Sequence, residues 1–311
     1  MTSGKPSIKR KENDLWVITV NWNQPELTKS CVESLLNNEV VTTNLVIVDN
    51  GSSDGSYETF LGIFPDLHII QSSKNIGFAG GFNLGIKYAL HNGAEYIYML
   101  NNDTETPAGM LDTLMAQTHK VNADICSPAI YFADSPHKIW SVGGYFNSLL
   151  SAPFDAHRRN KPIPYKPTRR EFLSGCALVI HKDVFKKIGF FDEAFFLYYE
   201  DMDFIKRAHD ADLDLWLIPQ SKLLHKVSGS SESATSKKVV FLMEQSSWRY
   251  FRKHAKSWQW FFIFPWRCLH AIKRICTYII QNRFELIIPF LSGFFNSKTH
   301  PKVFHLNKLL D

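Results

Sequence analysis

LWVITVNWNQPEL, residues 15–27, decides the fold. Its first six residues are a short run of apolar, partly β-branched side chains without polar alternation, the pattern of a strand buried on both faces. The run breaks at Asn21-Trp22-Asn23. Pro25 then suits a first helical position, and Leu27, Cys31 and Leu35 recur every four residues on one helical face. The alternation repeats downstream. NLVIVD (44–49) predicts a second strand ending in the turn Asn50 to Gly55, LHIIQ (67–71) a third, and EYIYML (95–100) a fourth. Between the last two, NIGFAGGFNLGIKYALHNG opens as a Gly-rich turn and becomes a helix that carries Ile86, Ala89 and Leu90 inward and closes near Gly93. Strands alternating with helices predict an α/β fold with a mostly parallel, Rossmann-like sheet covered on both faces. Ligands of such sheets bind beyond the carboxyl ends of the strands. The polar clusters 21–23, 49–54, 74–77 and 101–103 lie at or just after those ends, so one nucleotide would touch all four.

The bulk properties set outer limits. A chain of 311 residues, 45% hydrophobic and 21% charged, is long enough for one large domain with an appendage. Five cysteines, with no C-x-x-C pair, argue against a disulfide framework or a structural zinc site and fit a reducing compartment. The opening residues 1–13 are polar and basic, unlike a signal peptide or a membrane span, so a cytoplasmic location is expected. From Lys237 onward there are 13 Lys/Arg against 3 Asp/Glu, a net +10; the whole chain is +5, so the first 236 residues carry −5. The expected division is therefore a polar tail (1–13), a catalytic α/β domain (14–236) and a basic helical region (237–311). Between Glu244 and Glu285 eight Lys/Arg alternate with eleven aromatic residues and no acid. The uncharged runs 257–266 and 286–297 are too short to cross a bilayer, which takes about 20 apolar residues. Cations interleaved with Trp and Phe suit helices lying on an anionic membrane surface; a helical subdomain packed on the body is the plainer alternative. No nucleic-acid motif is present and the body is acidic, so nucleic acid is not an expected partner.

Each candidate site has an ordinary reading as well. Asp49-Asn50-Gly51 and Asp54-Gly55 make good turns. Gly77, Gly80 and Gly81 do not form G-x-G-x-x-G. Asp103, ahead of Thr104 and Pro107, would serve as a helix cap. Glu200, Asp201 and Asp203 would complement the dipole of a helix in whose first turn they lie. Trp140 is as readily a core residue as a sugar-stacking platform, and residues 228–236 are either a linker or a lid that closes over a substrate.

Four motifs in order, VDNGSSDGS, NIGFAGGFNLGI, LNNDTE and FLSGCALVIHKDVFKKIGFFDEAFFLYYEDMDF continuing to LLHKVSGSS, resemble the family 2 glycosyltransferases of the GT-A fold, and most closely the bacterial rhamnosyltransferase-like branch that builds surface polysaccharides such as O-antigen. The likeness spans about residues 14–230. It implies that Asp49 meets the nucleotide base, that Asn21 and Asn23 lie by the base and ribose, and that Asn75, Gly77 and Asn83 follow the ribose and diphosphate. It implies that Asp103 is the last acid of a metal-binding D-x-D, reduced here to Asn101-Asn102-Asp103, with Asn102 on the nucleotide side. It implies that His225 is a further ligand for Mn²⁺ or Mg²⁺, that Asp201 is the catalytic base with Glu200 beside it, and that Gly175 and Trp140 face the acceptor. The implied partners are a dTDP- or UDP-sugar donor, a glycan or lipid-linked glycan acceptor, and the inner face of an anionic membrane.

The chemistry asks for these residue types on its own account. A departing nucleotide diphosphate gains negative charge that a divalent cation neutralises, and oxygen ligands with an imidazole suit Mn²⁺ or Mg²⁺. A sugar hydroxyl becomes a nucleophile when a carboxylate takes its proton, and attack from the far face inverts the anomeric carbon. Two rival readings are a nucleotidyltransferase, which lacks here the basic Gly-rich phosphate loop it would need near residue 20, and a catalytically dead scaffold at the membrane surface.

Overall fold

The computed structural model describes residues 15–37, 44–156, 163–227 and 236–295. In chain order the first half runs β1 (Leu15–Asn21), α1 (Pro25–Leu36), β2 (Leu45–Asp49), α2 (Ser56–Ile63), β3 (His68–Gln71), α3 (Gly77–His91), β4 (Tyr96–Leu100), β5 (Thr104–Glu105), α4 (Met110–Val121) and β6 (Ile125–Phe132). The second half continues β7 (Ser135–Ser141), β8 (Gly144–Phe146), β9 (Pro153–Asp155), β10 (Thr168–Arg169), β11 (Ala177–His181), α5 (Lys182–Ile188), α6 (Glu200–Asp210) and β12 (Leu215–His225). Three helices follow: α7 (Lys237–His254), α8 (Trp260–Ile280) and α9 (Ile287–Phe295).

The main sheet has the order β10-β12-β6-β11-β4-β1-β2-β3. Strands β4, β1, β2 and β3 are mutually parallel, as the β-α alternation predicts. Beyond β4 the sheet is mixed, because β11 runs antiparallel to both β4 and β6. A parallel neighbour needs a crossover element. The described residues between β6 and β11 form only short strands and loops, and the chain re-enters the sheet in the opposite direction.

Side chains alternate across β1 and β2 and build two cores. Leu15, Val17, Leu45 and Ile47 pack with Cys31 and Leu35 of α1, Phe60 of α2 and Leu114 of α4. Trp16, Ile18, Val46 and Val48 pack with Phe82 and Ile86 of α3 and Phe204 of α6. Both faces are thereby covered, which is why these strands read as unbroken apolar runs.

The C-terminal helices are anchored to this body. Ser236 caps α7 by accepting from the Val239 N–H at 3.3 Å. Tyr250 and Phe251 of α7 are buried with Phe195 and with Ile263 of α8. The Tyr250 hydroxyl donates to Ser151 O at 2.8 Å, and Ser246 Oγ donates to Leu197 O at 3.0 Å. Among the described residues no helix is long and apolar enough to cross a membrane. The expected linker or lid at 228–236 falls, apart from Ser236, outside the described residues, as does the N-terminal tail.

Candidate active site

One polar cluster is assembled from the ends of three neighbouring strands. The parallel register sets Asn21 beside Asp49. Asn21 Nδ2 donates to Asp49 Oδ1 at 3.0 Å and to Ser52 Oγ at 3.1 Å, while its Oδ1 accepts from Thr28 Oγ1 of α1 at 2.8 Å. Asn102, just past β4, donates to the same Thr28 hydroxyl at 2.9 Å. Asn23 Oδ1 accepts the Ser53 N–H at 2.8 Å. Asn21, Asn23, Asp49 and Asn102 thus belong to one polar network. Asn21 and Asp49 are fully buried within it, and Asn23 is exposed at its rim.

The next turn is tied in by Asn50, which motif reading treats only as turn chemistry. Its Nδ2 donates to Gly77 O at 3.0 Å and its Oδ1 accepts from the Ile76 N–H at 3.0 Å. Asn75 Oδ1 accepts the Gly77 N–H at 2.8 Å. Gly77 has φ +84°, and a Cβ there would overlap the Phe196 carbonyl, which itself accepts the Phe78 N–H at 2.8 Å. Only glycine holds the start of α3 this close to the segment leading into α6. Asn83 stands apart from this group. Its amide donates to Phe191 O at 2.9 Å and accepts the Phe191 N–H at 3.1 Å, so it clamps α3 to that segment.

Asp103 and His225 come together because β5 and β12 pair with Thr104 opposite His225. His225 Nε2 lies 3.0 Å from Asp103 Oδ1. The edge of Trp140 packs against the imidazole, with ring centroids 4.5 Å apart. Trp140 is half-buried and also touches the core, so it has both of the roles weighed for it available. Among the described residues no group of three or more His, Cys, Asp or Glu could hold a metal ion. The pair still fits a divalent cation, because two adjacent ligands each about 2.1 Å from one ion lie roughly 3 Å apart. Buried Asn101 Oδ1 and His225 Nδ1 have no hydrogen-bond partner. Asp103 and His225 would offer such an ion one carboxylate and one imidazole.

Tyr198 and Tyr199 have φ of +63° and +68°, two successive side-chain residues in the left-handed region. Such strain clusters at functional sites. It turns the chain into α6, whose first two residues are Glu200 and Asp201. Asp201 Oδ2 accepts the Gly175 N–H at 2.9 Å, and Oδ1 accepts the Met202 N–H at 2.7 Å. Burial pushes the Asp201 carboxyl up, and the two N–H donors oppose this only in part. Burial and the neighbouring Asp201 push Glu200 well above the usual carboxylate range, and its Oε2 is buried without a partner. Asp201, which has the donors, is the first of the two to ionise.

Backbone links join this acid to the Asp103–His225 pair. Asn101 N–H donates to Cys176 O at 2.9 Å, one residue beyond Gly175 and two before Asp103. Burial, then the charges of Asp103 and Asp201, push the Cys176 thiol far up, which suits an inert core residue rather than a nucleophile.

A model of "Glycosyl transferase family 2" matches residues 16–189, more than half of the chain. The chain belongs to that family. Over 210 residues it is 28% identical to the low-salt glycan biosynthesis hexosyltransferase Agl10 of Haloferax volcanii, covering 65% of this chain and 64% of that protein. Over 221 residues it is 25% identical to the dTDP-rhamnosyl transferase RfbF of Shigella flexneri, covering 70% and 71%. The chain thus spans about two thirds of the length of these relatives. Its fold is similar to that of GalNAc-T7, crystallised with UDP, GalNAc and Mn²⁺, at a TM-score of 0.59 and 13% identity over 79% of this chain and 49% of that one. The sheet and its helices are those of a GT-A glycosyltransferase.

In this family 2 glycosyltransferase Asp203, expected only to complement the dipole of α6, has a larger role. It is fully buried between Arg207 Nε at 2.9 Å, Lys253 Nζ at 2.7 Å and His254 Nε2 at 2.8 Å. Burial alone would raise its pKa; the bond from His254 and the charges of Arg207 and Lys253 outweigh it and bring it to about 2. The Arg207 partner is legible as an i,i+4 pair. The other two come from α7, and no local pattern announces them.

Proposed function

We propose that this chain is an inverting, metal-dependent glycosyltransferase that moves a sugar, rhamnose by the nearest sense of the motifs, from a dTDP- or UDP-linked donor to a glycan or lipid-linked glycan in bacterial surface polysaccharide synthesis. One observation carries the reading: the Asp201 carboxylate and the Asp103–His225 pair stand at the adjacent ends of β11 and β4, joined through Gly175, Cys176 and Asn101. The name of the Shigella flexneri relative supports a dTDP-rhamnose donor, and the UDP and Mn²⁺ of GalNAc-T7 support a nucleotide with a divalent ion.

In this reading the network of Asn21, Asn23, Asp49 and Asn102 seats the base and ribose, and the Asn75–Gly77 turn runs along the diphosphate. Asp103 and His225 hold Mn²⁺ or Mg²⁺, which when bound neutralises charge on the departing diphosphate. Asp201 takes the proton from the acceptor hydroxyl as its oxygen attacks the anomeric carbon from the face opposite the leaving group. The C–O bond to the diphosphate breaks, and the configuration inverts without a covalent intermediate. Glu200 orients the acceptor, with Gly175 and Trp140 beside it.

The basic C-terminal helices place the enzyme on the inner face of the membrane. Supporting this, the outward face of α8 exposes Phe261, Phe264, Leu269, Ile272 and Ile280, whereas its arginines turn inward. A helix lying in the interface buries such a face in the acyl boundary. Product analysis with dTDP-rhamnose and a lipid-linked saccharide tests the reading: transfer that is lost in Asp201→Asn supports it, and undiminished transfer by that variant refutes the base assignment. The scaffold reading draws only on the single acid in Asn101-Asn102-Asp103.

A further inference from the structure

Helix α8 exposes a mostly apolar face, interrupted by Lys273, while Arg267, His270 and Arg274 turn inward to line a cavity of about 380 Å³. That volume is within the range of small-molecule sites. Arg283, from the turn before α9, also lines it. Three arginines therefore face a single lining carboxylate, Glu244. Glu244 pairs with Arg267 Nη2, and Ser247 Oγ accepts from Arg267 Nη1 at 2.7 Å. Glu285 pairs with Arg283 at 2.6 Å. Arg274 has no carboxylate partner among the described residues; its guanidinium lies 5.9 Å from the centre of the Tyr278 ring.

The site is built rather than incidental. Arg267 is only 2% exposed, and its Nε is buried without a hydrogen-bond partner. His270 Nδ1 is likewise buried and unpartnered. Burial, and after it the charges of Arg267, Arg274 and Lys273, pulls His270 down to about 4. Arg267 already has Glu244 beside it, whereas half-buried Arg274 faces the cavity with no carboxylate partner among the described residues, and a bound anion would supply one. Guanidinium groups present paired N–H donors that match phosphate oxygens.

Two further facts narrow the anion. Tyr199 lines the cavity, and it is the residue immediately before Glu200 and Asp201. Trp266, Tyr278 and Phe290 supply apolar walls, and the exposed apolar face of α8 lies on the helix's other side. A group bound here is thus anionic in the middle, with a lipid-compatible surface on one hand and the catalytic helix on the other.

We propose that the cavity between α7, α8 and α9 binds the phosphate or diphosphate of a lipid-linked acceptor, so that the lipid chain lies on the membrane side while the attached sugar is directed toward Asp201. The inference rests on the glycosyltransferase reading and assigns the acceptor's anchor point within it.

The test uses the full chain and measures binding to phosphatidylcholine vesicles with and without a polyprenyl diphosphate, and in parallel to inorganic pyrophosphate. The wild-type protein is expected to bind the doped vesicles well above the undoped ones. Arg274→Gln is expected to weaken that binding about tenfold, the worth of one charge-assisted contact. Arg283→Gln, at a half-exposed rim position, is expected to act in the same direction and covers the case in which Arg274→Gln fails to fold. Equal binding of both variants and wild type to doped vesicles overturns the proposal. Pyrophosphate binding as tight as that of the lipid diphosphate also overturns it, leaving a free-phosphate site. The rise in melting temperature with dTDP or UDP, read on the wild type, reports the donor site alone. Its absence counts against the transferase reading and not against the cavity.

Discussion

The Gly175 N–H donates to Asp201 Oδ2 at 2.9 Å, and a Cβ at position 175 would overlap the Cβ of Asp201. The glycine is therefore what lets α6 bring its acid against the turn before β11. Gly175→Ala should displace the carboxylate without touching the donor network. Turnover is expected to fall roughly 10²-fold, as for a misplacement of about 1 Å. Nucleotide-induced stabilisation should persist. Steady-state kinetics with a parallel melting assay checks both halves, and an unimpaired alanine variant contradicts the assignment.

Asp201→Asn should lower kcat about 10²–10⁴-fold with donor affinity nearly unchanged. Since burial raises the Asp201 pKa, the base form is depleted as pH falls. The acidic limb of kcat/KM should have its midpoint above the usual carboxylate value of about 3.9. A profile that is flat through that region would show that Asp201 does not act as the base.

Asp203 should set acid stability. Its pKa of about 2 in the folded protein is below the ordinary 3.8. The folded state binds its proton less readily, so the stabilisation is complete above the unfolded pKa and is lost as pH falls through the folded one. The shift corresponds to about 2 kcal/mol. Asp203→Asn should lower the urea midpoint at neutral pH, and the gap to wild type should close toward about pH 2. Glu200 and Asp201 act with the opposite sign, because their raised pKa values favour the folded state at low pH and cost stability as pH rises.

The fold was largely legible because β1, β2 and β4 are buried on both faces and cannot alternate, while β3 is a half-buried edge strand. The polar clusters at the carboxyl ends of β1, β2 and β4 were legible too, and the structure joins Asn21, Asn23, Asp49 and Asn102 in one network. What stayed hidden depended on long-range pairing. The antiparallel entry of β11 is one such pairing, and apolar runs do not encode direction. The 3.0 Å approach of Asp103 to His225 depends on a two-residue strand, too short to show periodicity. Asn83 read as part of the diphosphate turn, yet its amide is engaged with Phe191. The basic, aromatic composition of the tail suggested a membrane surface, but the inward turn of Arg267 and Arg274 needed the packed helices to be seen.

Removing the metal should silence the enzyme. EDTA is expected to abolish transfer, and added Mn²⁺ or Mg²⁺ to restore it. His225→Ala should raise the metal concentration needed by about 10–100-fold, the usual scale for altering a metal site's supporting residues. Full activity in EDTA would remove the metal from the account.

The outer face of α8 should govern vesicle binding but not folding. Leu269→Glu with Ile272→Glu, both exposed, should leave the melting temperature nearly unchanged, since exposed substitutions stay within about 0.5 kcal/mol. Co-sedimentation with anionic vesicles should be lost. Persistent sedimentation would contradict membrane docking through this face.

The most direct test of the central claim is a melting-temperature screen of nucleoside diphosphates and nucleotide-sugars on the full chain, with and without Mn²⁺. The account predicts stabilisation that requires both the metal and a dTDP or UDP ligand, and that is lost in Asp103→Asn. A folded protein whose melting temperature no nucleotide moves, with or without metal, would contradict it.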